Sequence, residues 1–474
     1  MSLPDLAFAS AAEAGRAIAR REVSPTELAR AVLERIERHD AALAAHVTVS
    51  GDRALAEAAR AEAEIAAGHI RGPLHGVPIG LKDLFDTADL RTTAGSKILA
   101  AHVPDRDAAI VERLREAGTV LVGKHNLHEF AYGTTSDNPH YGPCRNPWDL
   151  SRVAGGSSGG SAAALAAGLC FLAPGTDTGG SIRIPASACG VVGLKPTFGR
   201  VSRRGVFPLA WSLDHVGPLA RTVEDAALAL EVMAGADDAD PWCARQPSEP
   251  FARDLERGVD GLVLGLPRPL FFDSLEPDVA AAFENARLAL ERAGATFVDV
   301  EIPSLRDSYT AFHAILASEA SARHEPWLRE RPHDYGEGTR NALLQGFAIP
   351  AVDYVNARRF QGRLSAELDA ALGRVTALLT PTLPRTAPPL GEPVSREPAS
   401  AWNRLLVPFN LAGLPALSVP CGFDRQELPI GLQIVGRAFD EATVLRVGRA
   451  WEREWDGVGA MPGAASGARR PPGF

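Results

Sequence analysis

Residues 154–181 read AGGSSGGSAAALAAGLCFLAPGTDTGGS and place two glycine-flanked serine clusters on either side of an alanine-rich stretch. Glycine permits backbone angles that are closed to other residues and lets bare amide groups approach a ligand closely. Such amides can stabilise an oxyanion, while a serine hydroxyl becomes a useful nucleophile only when a base accepts its proton. The stretch therefore predicts a helix between two serine-bearing turns, and it raises the question of which side chain supplies the base.

Lysine usage suggests an answer. The chain has four lysines among 49 basic residues, so each lysine invites an explanation. A buried lysine loses its proton readily, whereas arginine stays charged in proteins. Lys82 lies in GVPIGLKDLFDT (76–87), whose apolar run predicts a buried strand that ends in a loop. Two interpretations stay open from these residues: Lys82 is a base, or it is a structural cation paired with Asp83.

Two other glycine-rich site types fit the first serine cluster less well. The lipase-type elbow G-x-S-x-G matches twice, centred on Ser157 and on Ser158, but it requires a preceding strand. The preceding residues NPWDLSRVAGG, with their proline and charges, make a poor buried strand. The stretch also lacks the G-x-x-x-x-G-K-[ST] and G-x-G-x-x-G patterns of phosphate-binding loops. Both interpretations are therefore disfavoured.

Longer motifs resemble the amidase signature family. They are GGSSGGSAAALAAG (155–168), GTDTGGSIRIPA (175–186), GLKPTFGRVSRRG (193–205) and SLDHVGPLARTVEDAALAL (212–230). The resemblance extends from PLHGVPIGLKD (73–83) to LPIGLQIVG (428–436), and so covers nearly the whole chain. It implies an α/β fold with a large mixed central β-sheet covered by helices on both faces. It also implies an amidase without a cofactor.

The resemblance implies a catalytic triad. Carried over motif by motif, Lys82 is the base, Ser157 is a relay serine that follows a cis peptide bond, and Ser181 is the nucleophile. The oxyanion would be held by backbone amides of the glycine-rich turn, namely Thr178, Gly179, Gly180 and Ser181. Three flanking residues are expected to support this apparatus by hydrogen bonding, namely Ser158, Asp177 and Arg183.

Aromatic residues in neighbouring motifs suggest an apolar substrate pocket. Phe130 and Tyr132 lie in HEFAYG, and Phe207 and Trp211 lie in GVFPLAW. Ordinary core packing remains an open alternative for all four. His125 and His128 in KHNLHEF are not expected to bind a metal, because the order H-x-x-H-E differs from the zinc-protease H-E-x-x-H and the resemblance implies no metal.

Composition limits the expected partners. The net charge of −9 argues against nucleic-acid and anionic-membrane partners, which leaves a small-molecule amide substrate and, as the default oligomer, a homodimer. Five scattered cysteines without CxxC spacing predict reduced thiols. The first residues lack a basic segment followed by an apolar run, so we expect a cytoplasmic protein.

Helix and strand patterns alternate along the chain, which predicts an α/β protein. Ser24 and Glu27 form a predicted capping box with Pro25 at the first helical position, and this helix is expected to run through Arg38. Further predicted helices and strands are helices at 54–67, 107–117 and 278–293 and strands at 119–122 and 261–266. We expect a single domain over residues 1–456, an inserted and more variable helical segment around 237–375, and a disordered tail over 457–474.

Three functions are compatible with these motifs. The favoured one is a hydrolase of uncharged aliphatic or aryl amides, with esters and carbamates as further substrates, acting through an acyl-enzyme on Ser181. The first alternative is the glutaminase component of a tRNA-dependent amidotransferase, which typically carries a run like SEASSNLARYDG. The corresponding residues 318–336 read SEASARHEPWLRERPHDYG and depart from that run after Ser321. The second alternative is a non-catalytic binding protein, but the chain retains all three triad residues.

Overall fold

A mixed eleven-stranded sheet forms the centre of the protein in a computed structural model, which describes residues 6–393, 397, 401–456 and 472–474. The fifteen strands of these residues are β1 (His46–Val49), β2 (Pro78–Lys82), β3 (Val120–His125), β4 (Asp137–Asn138), β5 (Gly142–Pro143), β6 (Arg145–Asn146), β7 (Asp149–Val153), β8 (Leu172–Asp177), β9 (Val192–Lys195), β10 (His215–Ala220), β11 (Val263–Arg268), β12 (Thr296–Glu301), β13 (Ala377–Pro381), β14 (Ala416–Phe423) and β15 (Pro429–Val435). The order in the sheet is β1-β3-β2-β8-β10-β9-β14-β15-β13-β11-β12. Strands β4–β7 form two separate two-stranded ribbons.

Helices cover both faces of this sheet, which confirms the predicted fold class. In the described part of the chain the α-helices are α1 (Ala11–Ala19), α2 (Pro25–Leu43), α3 (Gly51–Ala66), α4 (Ala109–Glu116), α5 (Gly159–Ala166), α6 (Arg183–Cys189), α7 (Val223–Met233), α8 (Pro277–Arg292), α9 (Ser308–Glu330), α10 (Glu337–Gln345), α11 (Ala351–Leu372), α12 (Val407–Leu411) and α13 (Glu441–Asp456). None of the described helices is long and apolar enough to cross a membrane.

Local sequence signals explain several of these elements. Ser24 accepts a hydrogen bond from the Glu27 amide, and the Glu27 side chain accepts one from the Ser24 amide, so the predicted capping box is present. Helix α2 continues past the predicted Arg38 to Leu43, where the next residue adopts left-handed angles. The predicted helix after Gly160 is α5, and all eight of its residues are buried.

The central strands bring the predicted triad motifs to one edge of the sheet. Strand β2 lies between β3 and β8 and is parallel to both. Because parallel strands point their carboxyl ends to the same edge, Lys82 at the end of β2 and Asp177 at the end of β8 meet there. The turn with Ser181 follows β8 directly, so this edge is where a site can form.

The segment around 237–375 contributes strands as well as helices. Strands β11 and β12 pair in parallel and form one edge of the central sheet, with β11 next to β13. The rest of the segment includes α8–α11, of which α9 reaches the triad edge. Residues 457–471 of the predicted tail lie outside the described residues.

The close packing of β2 against β3 can be tested at Gly80. A Cβ at Gly80 would lie 2.1 Å from Nε2 of His125, a fully buried ring on the neighbouring strand. We expect Gly80→Ala to lower the free energy of unfolding by about 1–3 kcal/mol, because the overpacked ring has no free space to enter. Urea denaturation of the full chain measures this value.

The matched control is Gly362→Ala in α11, where an added Cβ meets no atom within 4 Å beyond its chain neighbours and the backbone of its own helix. Alanine is the better helix former, so this variant should be as stable as the parent or more stable. Equal stability of Gly80→Ala and the parent would contradict the close packing of β2 against His125.

Candidate active site

Lys82 lies fully buried at the end of β2 and points at hydroxyl groups. Its Nζ donates hydrogen bonds to Ser157 Oγ and to Thr176 Oγ1, both at 2.8 Å. Asp83 is engaged elsewhere: it accepts hydrogen bonds from Thr93 and lies 3.6 Å from Lys124 Nζ. The alternative of a Lys82–Asp83 ion pair is therefore not what the structure contains.

Burial lowers the pKa of Lys82 well below its usual value, while the negative charges of Asp177 and Asp214 oppose this shift. Asp83, the neighbour of Lys82 in the sequence, directs its carboxylate at Lys124 instead. The balance favours a neutral amine, because the desolvation of a fully buried ammonium outweighs carboxylates that do not hydrogen-bond to it. A neutral lysine bonded to a serine hydroxyl is suited to accept a proton.

Ser157 lies in the tight turn before α5, and the Gly156–Ser157 peptide bond is cis. Its carbonyl accepts hydrogen bonds from the His128 amide at 3.1 Å and from Ser136 Oγ at 3.2 Å. Gly155 has a φ of +78°, and a Cβ there would lie 2.9 Å from Cα of Pro185. The glycines therefore allow the turn to pack closely enough for the Ser157 hydroxyl to reach Lys82.

Ser158 connects this turn to the second serine cluster. Its backbone amide donates to the carbonyl of Ser181 at 3.2 Å. Its hydroxyl donates to the carbonyl of Thr176 at 3.2 Å. Ser158 thus makes the hydrogen bonds expected of a supporting residue.

The turn from Thr178 to Ser181 presents only part of the predicted set of amides. The Gly180 amide donates to Asp177 Oδ1 at 2.7 Å, so its hydrogen is already used and Gly180 does not fit the predicted oxyanion role. The Thr178, Gly179 and Ser181 amides have no hydrogen-bond partner among the described residues. A Cβ at Gly179 would lie 2.3 Å from the Phe312 ring, so a side chain there would require that ring to move.

Asp177 and Arg183 hold this turn through an ion pair and hydrogen bonds. Arg183 Nε and Nη2 each donate to the Asp177 carboxylate at 3.0 Å, and Arg183 also donates to Asn410 Oδ1 and Gln433 Oε1. Burial alone would raise the pKa of the Asp177 carboxyl, but the Arg183 guanidinium holds it well below its usual range. Asp177 is therefore a carboxylate whose charge is paired with Arg183.

A cavity of about 250 Å³ opens directly above Ser181. Its wall combines aromatic and uncharged polar side chains, including Tyr132, Tyr309, Phe312, His313 and Asn403. Asn403 donates from Nδ2 to the Gly179 carbonyl at 2.9 Å, which ties the wall to the turn. Among the described lining residues there is no lysine or arginine, and Glu392 is the one acid.

The four predicted substrate aromatics do not form one pocket. Tyr132 lines the cavity at Ser181, whereas Phe207 and Trp211 line a second cavity of about 190 Å³ that shares part of its wall with the first. Phe130 is fully buried and lines neither, because its ring packs 4.9 Å from Phe207 and 4.5 Å from His324. For Phe130, the core-packing alternative is the one that the structure contains.

Sequence reasoning missed several residues of the site. Thr176 lies within the GTDTGGS motif, and Asp214 lies within SLDHVGP, so both were visible as motif members without an assigned role. Tyr309, Phe312 and His313 come from α9, and no local pattern connects them to Ser181. Only the packing of α9 against the triad edge brings them there.

The two histidines of KHNLHEF lie in different environments. His125 Nδ1 is 3.2 Å from Ser161 Oγ in a fully buried position, and His128 lines the cavity at Ser181. Within the ranges that the structure describes, no group of three His, Cys, Asp or Glu side chains could hold a metal ion.

Comparison with known proteins identifies relatives over nearly the whole chain. A glutamyl-tRNA(Gln) amidotransferase subunit of Anaeromyxobacter dehalogenans (strain 2CP-C) is 44% identical, over 95% of this chain and 97% of the relative. A solved structure described as a vestigial protein complex that reveals the origins of an s-triazine catabolic enzyme is 37% identical with a TM-score of 0.91, over 96% of this chain and 100% of that one. The peptide amidase of Stenotrophomonas maltophilia is 34% identical with a TM-score of 0.86, over 98% of both chains.

These relatives correct one prediction. The net charge of −9 led us to expect no nucleic-acid partner, and relatives named for a glutamyl-tRNA(Gln) amidotransferase contradict that expectation. Net charge averages over the whole surface, so it is blind to a partner that is reached within an assembly of several proteins. The sequence pattern of the Amidase family matches residues 27–445, and with the full-length relatives it shows that the chain belongs to the amidase signature family.

Proposed function

We propose that this chain hydrolyses a carboxamide through an acyl-enzyme on Ser181, with Ser157 as the proton relay and Lys82 as the base. The observation that carries the proposal is the 2.8 Å hydrogen bond from the buried Lys82 amine to Ser157 Oγ. The Ser158 amide bonded to the Ser181 carbonyl keeps the backbone of the two serine clusters in contact.

The proposed reaction has two halves. Ser181 Oγ attacks the substrate carbonyl while its proton passes to Ser157 and the Ser157 proton passes to the Lys82 amine. The proton then returns through the same relay to the leaving nitrogen, and the C–N bond breaks to leave an acyl-enzyme. Water repeats the attack and releases the carboxylic acid. A serine suits the relay position because its hydroxyl both donates and accepts.

Three amides of the turn are available for the oxyanion. Thr178, Gly179 and Ser181 keep their N–H groups unpaired among the described residues, while the Gly180 amide is bonded to Asp177. Losing one such donor typically costs about 3 kcal/mol of transition-state stabilisation. In this proposal Asp177 and Arg183 hold the turn, and they do not transfer protons themselves.

A more specific proposal concerns the substrate of this amidase and the assembly in which it acts. Curated relatives at 44% and 42% identity over nearly their whole length are named as subunits of glutamyl-tRNA(Gln) amidotransferase. We therefore propose that the chain releases ammonia from glutamine as one component of such an assembly. The companion subunits would bring the tRNA, since the basic patches for that contact need not lie on this acidic chain.

A free-standing hydrolase of uncharged amides, with esters and carbamates as further substrates, is the second candidate. The observation in its favour is the cavity wall at Ser181, whose described residues include no arginine or lysine to pair with the α-carboxylate of glutamine. The departure after Ser321 also builds an aromatic cluster, in which Arg323 lies 4.8 Å from the centre of the Phe207 ring and 5.0 Å from that of Trp327.

The variant Lys82→Arg distinguishes between two roles of Lys82, a catalytic base and a structural cation. Arginine keeps the positive charge and much of the stem but cannot act as a base, so we expect a folded protein whose kcat/KM falls by at least about a hundredfold. Lys82→Met should be equally inactive. The matched control is Lys97→Arg, which changes an exposed lysine and should leave kcat/KM unchanged. Turnover near the parent level in Lys82→Arg would show that the serine relay is wrong.

The pH dependence of kcat/KM is expected to follow the titration of Lys82. Activity requires the neutral amine, so kcat/KM should rise with pH through the pKa of Lys82 and then level off. Burial lowers that pKa well below its usual value of 10.5, so the midpoint should lie well below 10.5. A kcat/KM profile measured in overlapping buffers tests this, and a midpoint at the ordinary lysine value would contradict it.

A comparison of substrates distinguishes the amidotransferase component from the free-standing hydrolase. Ammonia release from L-glutamine, with and without companion subunits of a related amidotransferase, is measured beside hydrolysis of benzamide, p-nitroacetanilide and p-nitrophenyl acetate. Activity with glutamine that rises when the companion subunits are added supports the amidotransferase function. Turnover of the neutral compounds with negligible glutaminase activity supports the free hydrolase.

A non-catalytic binding protein is tested with a fluorophosphonate and intact-mass measurement. The proposed chemistry predicts one covalent adduct on the full chain and none on Ser181→Ala. An unmodified parent chain would favour the binding protein.

A further inference from the structure

The carboxylate of Asp214 lies opposite the turn that carries Ser181. Strand β10 begins at His215, and its antiparallel register with β8 sets His215 against Asp177. One step beyond the strands, Asp214 meets Thr178, the first residue of the turn, whose hydroxyl donates to Asp214 Oδ1 at 2.6 Å. The register of the central sheet therefore delivers this carboxylate to the turn.

The same carboxylate also holds a neighbouring loop. Asp214 accepts backbone hydrogen bonds from the Leu209 amide at 2.9 Å and from the Ala210 amide at 3.1 Å. Leu209 and Thr178 both line the cavity at Ser181. A buried carboxylate with several donors forms strong, directional bonds, so Asp214 joins one cavity wall to the turn.

Charged groups around Asp214 link it to the proposed base. Its negative charge, with that of Asp177, opposes the lowering of the Lys82 pKa. Burial raises the pKa of Asp214 to about 6, and the Thr178 hydroxyl and the charge of Arg203 oppose the rise, so the carboxylate is ionised at neutral pH. Arg203 Nη1 also donates to the Asp214 carbonyl at 3.3 Å.

Two further ionisable groups face the Asp214 region. His215 Nδ1 lies 2.6 Å from the Leu213 carbonyl, and burial keeps the pKa of its ring well below the usual value, so the ring is neutral. The Asp177 charge is paired with Arg183. Asp214 lines the same cavity of about 190 Å³ as Thr176, which accepts a hydrogen bond from Lys82, and its charge has no ion-pair partner within 4 Å among the described residues.

Building on the acyl-enzyme chemistry proposed above, we infer that Asp214 is a positioning residue: its carboxylate holds Thr178 so that the Gly179 and Ser181 amides stay directed at the oxyanion. Its charge also sets the pH at which Lys82 becomes a base. A purely structural carboxylate would affect stability without either effect.

The test is the rate at which an alkyl fluorophosphonate modifies Ser181, followed by intact mass across the pH range in which Lys82 titrates. The Ser181 Oγ–P bond forms as the P–F bond breaks, fluoride leaves, and the Ser181 proton passes to the relay. We expect Asp214→Asn to slow adduct formation by about 10- to 100-fold, because the asparagine NH2 cannot accept from the Leu209 and Ala210 amides and the side chain that holds Thr178 is displaced. The acidic limb of the profile should also move to lower pH, because Lys82 loses a negative neighbour that favours its charged form.

Asp225→Asn is the matched control. Asp225 is another buried carboxylate whose pKa burial raises to about 6, and it accepts a hydrogen bond from the Ala12 amide at 2.8 Å, but its charge does not act on Lys82. This variant should leave the acidic limb in place. Thr178→Val and Thr178→Ser form a second pair that does not depend on folding of Asp214→Asn: the valine variant should reproduce the rate loss, and the serine variant should restore the rate.

A folded Asp214→Asn chain with the parent rate and an unmoved limb would overturn the inference, as would a Thr178→Val chain that reacts at the parent rate. Adduct formation on Ser181→Ala would instead contradict the acyl-enzyme assignment. The two failures are therefore distinguishable.

Discussion

The burial of the Lys82 amine against two hydroxyl groups is the constraint on which the rest of the site depends. A charged ammonium in this position would lose its hydration without gaining a direct ion pair, so the neutral form is favoured. Lys82 reaches the site because it is the last residue of a strand that lies between two parallel neighbours. The position of Lys82 in the sheet therefore places a buried, hydrogen-bonded amine beside Ser157.

Three carboxylates lie in the region of this amine, and each is engaged by another group. Asp83 bonds to Thr93, Asp177 pairs with Arg183, and Asp214 accepts from Thr178 and two backbone amides. Within the described ranges, none of them hydrogen-bonds to Lys82. The charges of Asp177 and Asp214 oppose the lowering of the Lys82 pKa, while the hydrogen bonds of the amine go to Ser157 and Thr176.

The relatives and the cavity inform different questions: the relatives concern the assembly in which the chain acts, and the cavity concerns which substrate binds. Relatives that match nearly the whole chain are named as subunits of an amidotransferase, and the proposed place in an assembly rests on that similarity. The lining at Ser181, which among the described residues has no lysine or arginine and has Glu392 as its one acid, concerns which amide enters, and it offers no cation to an amino-acid carboxylate. A companion protein that completes the cavity would reconcile the two, since the members of an assembly can share one site.

The sequence by itself determined the α/β class, the capped helix at Ser24 and the motifs that contain Lys82, Ser157 and Ser181. The class and the capped helix follow from local preferences, whereas the assignment of Lys82, Ser157 and Ser181 rests on the resemblance of their motifs to the amidase signature family. Only the tertiary structure decided that Asp83 faces Lys124, that the Gly180 amide is occupied, that Phe130 is core, and that α9 supplies a cavity wall. Those outcomes depend on contacts between residues far apart in the chain, where strand order and close packing, and not neighbouring residues, select the partner.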